Sequence, residues 1–460
     1  MNPIRPAPLP HRLRLFPARG ALAAALLTLS AVAAEAAPQK SSYLVIAKKS
    51  TMEDAAWHEV VTALQTKHEA TVATYETSVD EVLGALQQEF PRYTCFVAPP
   101  DEANRAFVGR VHQLTRKLDD DIYTDTQWGI LTGYDAANAL AIARQKQPLT
   151  VRKVGAGTQF AMDMVEEGLW YDELVQNKMV RKKMGGAPET LKVEQDTTKA
   201  LVDMLNDYRP DCFITSGHAS ERDWQLGYAY RNGTFMSKAG QMTGYDIQRK
   251  SFDVKSDNPK VYLAIGNCLM GHIKDRNAMA LAWMNSAGVR QMIGYTVNTW
   301  FGYAGWGCLD YFIEQPGRYT LTEAFFANHH ALVYMLDKEP SPGLKYDLDV
   351  LAFYGDPKWE ARMADRPKAW DQSLVEKDGT YTFEIKPNRG EATFEPIDTN
   401  GSQRGGRPIV EFLSKRLKNV EVVSGADLNP VITDDFILIP NPGTCDPKRE
   451  YKVVFKALEK

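Results

Sequence analysis

Tyr43–Ala47 reads YLVIA, Ala70–Tyr75 reads ATVATY and Tyr93–Ala98 reads YTCFVA. Each is a short, largely apolar run of strand length. Between them, residues 53–68 place Trp57, Val60, Val61 and Leu64 on one helical face, and residues 79–89 do the same with Val82, Leu83 and Leu86. Strands that alternate with helices predict a parallel sheet covered on both faces, because each parallel connection must cross over the sheet. Working outward, helices are expected at 103–116 and 135–145. After a less regular stretch near 156–195, helix 197–208 leads into strand 211–215, and strand 261–265 leads to helix 276–287. Gly288 suits that helix's end because it tolerates positive φ, and strand 289–295 follows. Thr320 and Glu323 offer a capping box for a helix over 321–336.

Around 366–370 the character changes. Short β-like runs at 380–386, 391–395, 408–413, 420–424, 434–439 and 450–456 are separated by turn sequences such as Asn388-Arg389-Gly390 and Asn441-Pro442-Gly443. This pattern predicts a small antiparallel sandwich as a separate module. The expected organisation is an N-terminal α/β part over 37–155, a second α/β part over 156–366 and the β module over 370–460.

Composition bounds the function. The chain has 460 residues, 54 Lys+Arg against 58 Asp+Glu, 44% apolar residues and 24% charged ones. Those are ordinary values for a globular protein and exclude wholesale disorder and collagen-like repeats. The near-balanced charge argues against nucleic acid as a partner, which would require a basic surface. Arg5, Arg12, Arg14 and Arg19 precede the apolar stretch Ala21–Ala34 and the small-residue site Ala34-Glu35-Ala36. That order predicts a secretory signal peptide over 1–36 and a secreted or periplasmic protein. The apolar run is short for a bilayer span, so no transmembrane anchor is expected after cleavage; a single N-terminal anchor is the alternative. Cys95, Cys212, Cys268, Cys308 and Cys445 are few, scattered and odd in number. A disulfide scaffold is therefore not expected, whereas a free thiol is.

Reactive groups of parallel α/β sheets gather where loops leave the carboxyl ends of the strands. Asp211-Cys212-Phe213-Ile214-Thr215 opens into Ser216-Gly217-His218-Ala219-Ser220, and Val261–Ile265 opens into Gly266-Asn267-Cys268-Leu269-Met270-Gly271. If the two strands are neighbours, His218 and Cys268 converge. An imidazole beside a thiol favours the thiolate and later serves as general acid toward a leaving amine. Gly217, Ala219, Gly266 and Gly271 are small enough to bring substrate near main-chain N–H groups, which can hold a developing oxyanion.

His218 and Cys268 are fifty positions apart, the spacing noted for caspases. His218-Ala219-Ser220 with Trp224, Cys268 with Gly271, the segment Ile293–Trp300 and the turn Gly355-Asp356-Pro357 together resemble the gingipain family of caspase-like cysteine peptidases. The resemblance spans roughly residues 43–460. It implies a caspase/gingipain-like α/β fold, with a parallel-rich sheet flanked by helices and a C-terminal immunoglobulin-like β-sandwich. It also implies an exported cysteine endopeptidase acting on polypeptides through Cys268 and His218, with an oxyanion hole at the N–H groups of Ala219 and Cys268. No organic cofactor is implied, and a monomer is expected. Trp300 matches a residue lining the pocket for the side chain before the scissile bond, and Asp163 lies where arginine-specific relatives place a pocket carboxylate. Two positions depart from the pattern: Ala219 stands where Gly is usual, and Asn267 where Ala is common. No acidic partner for His218 is placed. A binding or assembly protein that kept the scaffold without turnover is the alternative, and a thiol-dependent transferase or ligase is a third reading.

The remaining candidates have plainer explanations. A core Trp at a strand end also accounts for Trp300, and a helix N-terminal acid for Asp163. Trp224 is expected to buttress the histidine loop. His272 is too close to Cys268 in the chain to be its base. His329 and His330 sit mid-helix without metal-ligand spacing, and Cys212 is expected to be an inert core thiol. Asp119, Asp120 and Asp121 with Asp125 offer oxygen donors suited to Ca²⁺, but not at EF-hand spacing, and a solvated charge run is the preferred account.

Overall fold

The computed structural model describes residues 42–460. The expected signal peptide and its cleavage site lie outside them. Among the described residues the centre is a twelve-stranded sheet. From one edge its strands run Thr71–Tyr75, Tyr43–Lys48, Tyr93–Val97, Gln127–Leu131, Leu351–Gly355, Val289–Tyr295, Lys260–Ala264, Cys212–Thr215, Lys153–Ala156, Glu167–Tyr171, Lys178–Lys182 and Glu189–Lys192. The first three pair in parallel, as do the five from Val289–Tyr295 to Glu167–Tyr171. Leu351–Gly355 runs antiparallel to Val289–Tyr295 and joins the two halves. Every residue of Gln127–Leu131, Lys260–Ala264 and Leu351–Gly355 is buried, so both faces of the sheet are covered.

The helices begin where local chemistry lets them. The helix expected from residue 53 is divided: Lys49–Glu53 is a short turn, and Asp54 then caps Ala55–His68 by accepting from the N–H groups of Ala56 and Trp57. Asn104 caps Arg105–Thr115 in the same way. The capping box of Thr320 and Glu323 is formed and opens Leu321–Lys338. No helix of the described residues is long and apolar enough to cross a membrane.

Near residue 356 the chain ties the sheet together from its amino edge. Asp356 is buried, accepting from Tyr43 Oη at 2.7 Å and the Lys358 N–H at 3.0 Å through Oδ1. Its Oδ2 meets Lys67 Nζ at 2.8 Å and His68 Nε2 at 2.7 Å. Burial pushes this carboxyl up, but the His68 hydrogen bond and the Lys67 charge outweigh it and hold the group well below the usual carboxylate range.

Residues 370–459 form two antiparallel sheets. One holds Trp370–Lys377, Thr380–Pro387, Tyr451–Glu459 and Leu417–Ser424; the other holds Ile409–Phe412, Phe436–Ile439 and Val431–Ile432. Phe383, Val453 and Phe455 of the first share a core with Ile409 and Ile437 of the second, so the sheets pack face to face. The strand expected at 391–395 is instead a 3₁₀ turn over Gly390–Phe394. There Gly390 has φ +57° and Thr393 Oγ1 donates back to its carbonyl. Val410, Phe436 and Leu438 also join the core of the large sheet.

Candidate active site

The histidine strand, Cys212–Thr215, and the cysteine strand, Lys260–Ala264, are direct neighbours, paired in parallel with Thr215 opposite Ala264. Their loops therefore leave the same edge of the sheet, and His218 and Cys268 follow within a few residues. Asn267 binds the loops to each other. It is fully buried; its Nδ2 donates to the Gly217 carbonyl at 3.1 Å, and its Oδ1 accepts from Thr215 Oγ1. The residue before the cysteine thus fixes the residue before the histidine.

The histidine loop turns on Gly217. Its φ is +93°, and a Cβ there would come within 2.9 Å of Glu173 Oε2, so only glycine fits. Trp224 is buried as expected, and its Nε1 donates to the Ser216 carbonyl at 2.9 Å. Ala219 and Trp224 form an isolated antiparallel bridge. The bonds of that bridge run from Gln225 N–H to His218 O and from Ser220 N–H to Asp223 O, which leaves the Ala219 N–H off the ladder. The His218 ring is exposed and stacks on Tyr228 with centroids 4.6 Å apart.

The cysteine loop is bent just after Cys268. Leu269 has φ +57°, a conformation few non-glycine residues adopt and one that persists only where neighbours enforce it. Here the Leu269 N–H donates to Val297 O and the Gly271 N–H to Tyr295 O, while the Cys268 N–H takes no backbone acceptor among the described residues. Cys268 is half-buried, and the Thr299 N–H donates to its Sγ at 3.3 Å. The next residue, Trp300, is 64% exposed and meets Tyr346 edge-on. No hydrogen bond joins Cys268 Sγ to the His218 ring among the described residues.

Glu173 is the residue that sequence reasoning missed. It follows Glu167–Tyr171, a strand of the stretch read as irregular, and so reaches the same carboxyl edge. Its carboxyl is buried against Gly217 and accepts from Thr158 Oγ1 at 2.7 Å. Desolvation raises its pKa to about 7, against the pull of the Thr158 and Ser216 hydroxyls. Tyr228 and Thr299 had no signal in the sequence either, because their roles depend on loops that meet only in three dimensions.

Asp163 is a correction. It is exposed on the turn Met162–Met164, just before the strand Glu167–Tyr171 begins. Glu167 pairs with Lys153, the first residue of its own strand, so this turn lies at the amino edge of the sheet, away from Cys268. Its carbonyl accepts from Lys182 Nζ. Glu173, by contrast, reaches the carboxyl edge.

Elsewhere, His272 closes the cysteine turn through its N–H to Leu269 O, and its ring is half-buried near Glu221. His329 and His330 are core residues; His330 stacks on Phe436 at 4.3 Å, and burial pushes it down to about 3. Cys212 is buried, and desolvation pushes its thiol up. All five cysteines are unpaired.

A segment of the β module also reaches this edge. Asn400 Nδ2 donates to Thr158 Oγ1 at 3.4 Å, and Gln159 Nε2 donates to Asp398 Oδ1 at 3.2 Å. Ser402 lies against Gly302, two residues after Trp300. The segment is held by a buried cluster in which Arg404 pairs with Asp310 and Glu314 and Arg407 pairs with Asp310 at 2.9 Å. Glu314 also accepts from the N–H groups of Ile397 and Asp398.

No protein-family model matches the chain, and no curated protein matches it. Among solved structures it is similar to the arginine-specific cysteine proteinase gingipain R, with a TM-score of 0.46 and 11% identity over 91% of this chain and 98% of that one. A likeness at that distance says nothing by itself about chemistry, which has to be read from the side chains.

Proposed function

We propose that this protein is an exported cysteine endopeptidase of the caspase-like, gingipain-like kind, with Cys268 as nucleophile and His218 as general acid and base. The observation that carries the reading is the pairing of the two strands together with the Asn267 clamp, which holds both loops at one sheet edge. The Cys268 sulfur attacks the peptide carbonyl and forms a C–S bond. The N–H groups of Ala219 and Cys268, neither taken by a backbone acceptor, receive the negative charge that develops on the oxygen. His218 gives its proton to the amine as the C–N bond breaks. Water, deprotonated by the same imidazole, then cleaves the thioester and restores the thiol.

Trp300 follows Thr299, whose N–H meets the sulfur, and is mostly exposed, suited to an extended polypeptide laid along the edge. The mechanism needs no organic cofactor and only one copy of the chain. In this reading the leader over 1–36 directs export, and the C-terminal β module is immunoglobulin-like.

A second reading has its own support: the sulfur's hydrogen bond comes from Thr299, and the imidazole stacks on Tyr228. That arrangement also fits a binding protein without turnover. In the peptidase reading, the His218–Cys268 contact closes when substrate displaces the ring from Tyr228, as catalytic hydrogen bonds often tighten only in the complex. Incubating the wild type and Cys268→Ala with a mixed peptide library, with products read by mass spectrometry, separates the two. Cleavage by the wild type alone supports the peptidase; identical product sets from both proteins would remove it.

A further inference from the structure

Outside this edge, the loop before the strand Gln127–Leu131 meets the β module in a concentration of carboxylates. Asp119 and Asp125 come from the loop, and Asp434 from the hairpin between Val431–Ile432 and Phe436–Ile439. One carboxylate oxygen from each lies within 4.8 Å of the others. That span is about twice a Ca²⁺–oxygen bond of ~2.4 Å, so a single ion fits between them.

The partners of these groups point the same way. Asp434 uses Oδ2 for Arg416 at 2.9 Å and Lys460 at 3.1 Å, while its Oδ1 is buried with no hydrogen-bond partner. Asp125 is 3% exposed, and its Oδ2 is likewise buried and unpartnered. A buried carboxylate oxygen left without a partner is costly unless something unseen satisfies it. Five carboxylates gather here (Asp119, Asp121, Asp125, Asp434 and Asp435) against Arg92, Arg416 and Lys460. The acids outnumber the cations, and a bound cation would offset their mutual repulsion. A cavity of about 610 Å³ adjoins the cluster, with Asp119, Asp435, Arg416 and Lys460 in its wall.

We propose that Asp119, Asp125 and Asp434 bind one Ca²⁺ ion, which pins the loop over 117–126 to the C-terminal β module. All three ligands are hard oxygen donors, the set that suits Ca²⁺ over transition metals. Asp120, though in the acidic run, is exposed and lies outside the ligand set.

The test uses the full chain stripped with chelator and then titrated with CaCl₂ alone, read by calorimetry and by thermal unfolding. One saturable site is expected, with a rise in Tm of about 3 °C at a hundredfold excess over Kd. Asp125→Asn, which keeps the shape and removes the charge, is expected to lose both responses; Asp120→Asn keeps both. Should Asp125→Asn fail to fold, terbium luminescence sensitised by Tyr123 and Trp128 in the wild type, quenched by added Ca²⁺, carries the test. Absence of any calcium response in the wild type overturns the proposal, and so does a wild-type calcium response in folded Asp125→Asn. None of these readouts depends on peptide cleavage.

Discussion

Two clusters at opposite edges of one sheet are built to opposite specifications. At the amino edge, Asp356 is buried and both its oxygens are partnered, by Tyr43, Lys67, His68 and a main-chain N–H. At the carboxyl edge, Leu269 is held at positive φ, two main-chain N–H groups take no backbone acceptor, and Tyr228 and Trp300 lie open. The Asp356 cluster satisfies its polar groups, whereas the loops around Cys268 leave several to be satisfied by something that binds. The difference teaches where each kind of residue belongs. A carboxylate that ties strands together works best saturated, whereas groups that act on a bound molecule must keep a bond to offer.

Substitutions at the two edges should therefore separate activity from stability. The largest effect is expected from Cys268→Ala, which should lower peptide cleavage by ~10⁴-fold or more while leaving the thermal unfolding temperature nearly unchanged. Loss of folding instead of activity would erase the contrast between the edges.

Next comes Asp356→Ala. It leaves Lys67 and His68 facing an empty acceptor site, and breaking a buried ion pair from one side costs about 3–5 kcal/mol. Urea unfolding should show that loss, and the fraction that remains folded should still cleave. The pH dependence has a definite sign. Because the Asp356 carboxyl is held below its unfolded value, its stabilisation is present above the ordinary Asp pKa of about 3.9 and is lost as pH falls further. The wild type should therefore lose more stability than the variant on acidification through that range.

Asn267→Ala sharpens the comparison, because this residue belongs to the fold and to the site at once. The substitution leaves the buried Gly217 carbonyl without its donor, a loss of about 1–3 kcal/mol. It should also lower kcat more than it raises KM, because the two loops lose their common anchor. An effect on stability alone, with kcat intact, would mean that the clamp does not position the site.

At Glu173 the expected effect is a change of slope with pH. Its carboxyl is raised to about 7 by burial, so the folded chain holds a proton there that the unfolded chain releases near pH 4.5. Stability from this group is full below pH 4.5 and falls as pH rises toward 7, by at most about 1.4 kcal/mol per pH unit. Glu173→Gln should flatten that slope in unfolding measured across pH 4.5–7. An unchanged slope would show that the carboxyl against Gly217 does not titrate in that range.

Much of the sheet was legible beforehand because a buried parallel strand leaves an apolar run with no solvent-facing positions. Tyr43–Lys48, Tyr93–Val97 and Lys260–Ala264 stand where such runs were read. Glu167–Tyr171 was not read: its tryptophan and tyrosine follow a glycine, and its neighbours Lys178–Lys182 and Glu189–Lys192 carry charges suited to an exposed flank. Missing that strand is why Glu173, buried against the histidine loop, was not singled out. The turn at Gly390–Phe394 was misread because Thr393 and Phe394 have strand propensity, while the positive φ of Gly390 is a property of the fold.

By itself the sequence determined the alternation of strands and helices, the chain positions of a thiol and an imidazole at strand ends, and the change to β structure near residue 370. Those follow from local periodicity and turn chemistry, which act over a few residues. Tertiary structure decided that the two strands are neighbours, that Asn267 joins their loops, and that Asp434 comes to lie beside Asp119 and Asp125. These are contacts between residues tens to hundreds of positions apart, and no local preference encodes which distant segments will share one buried space.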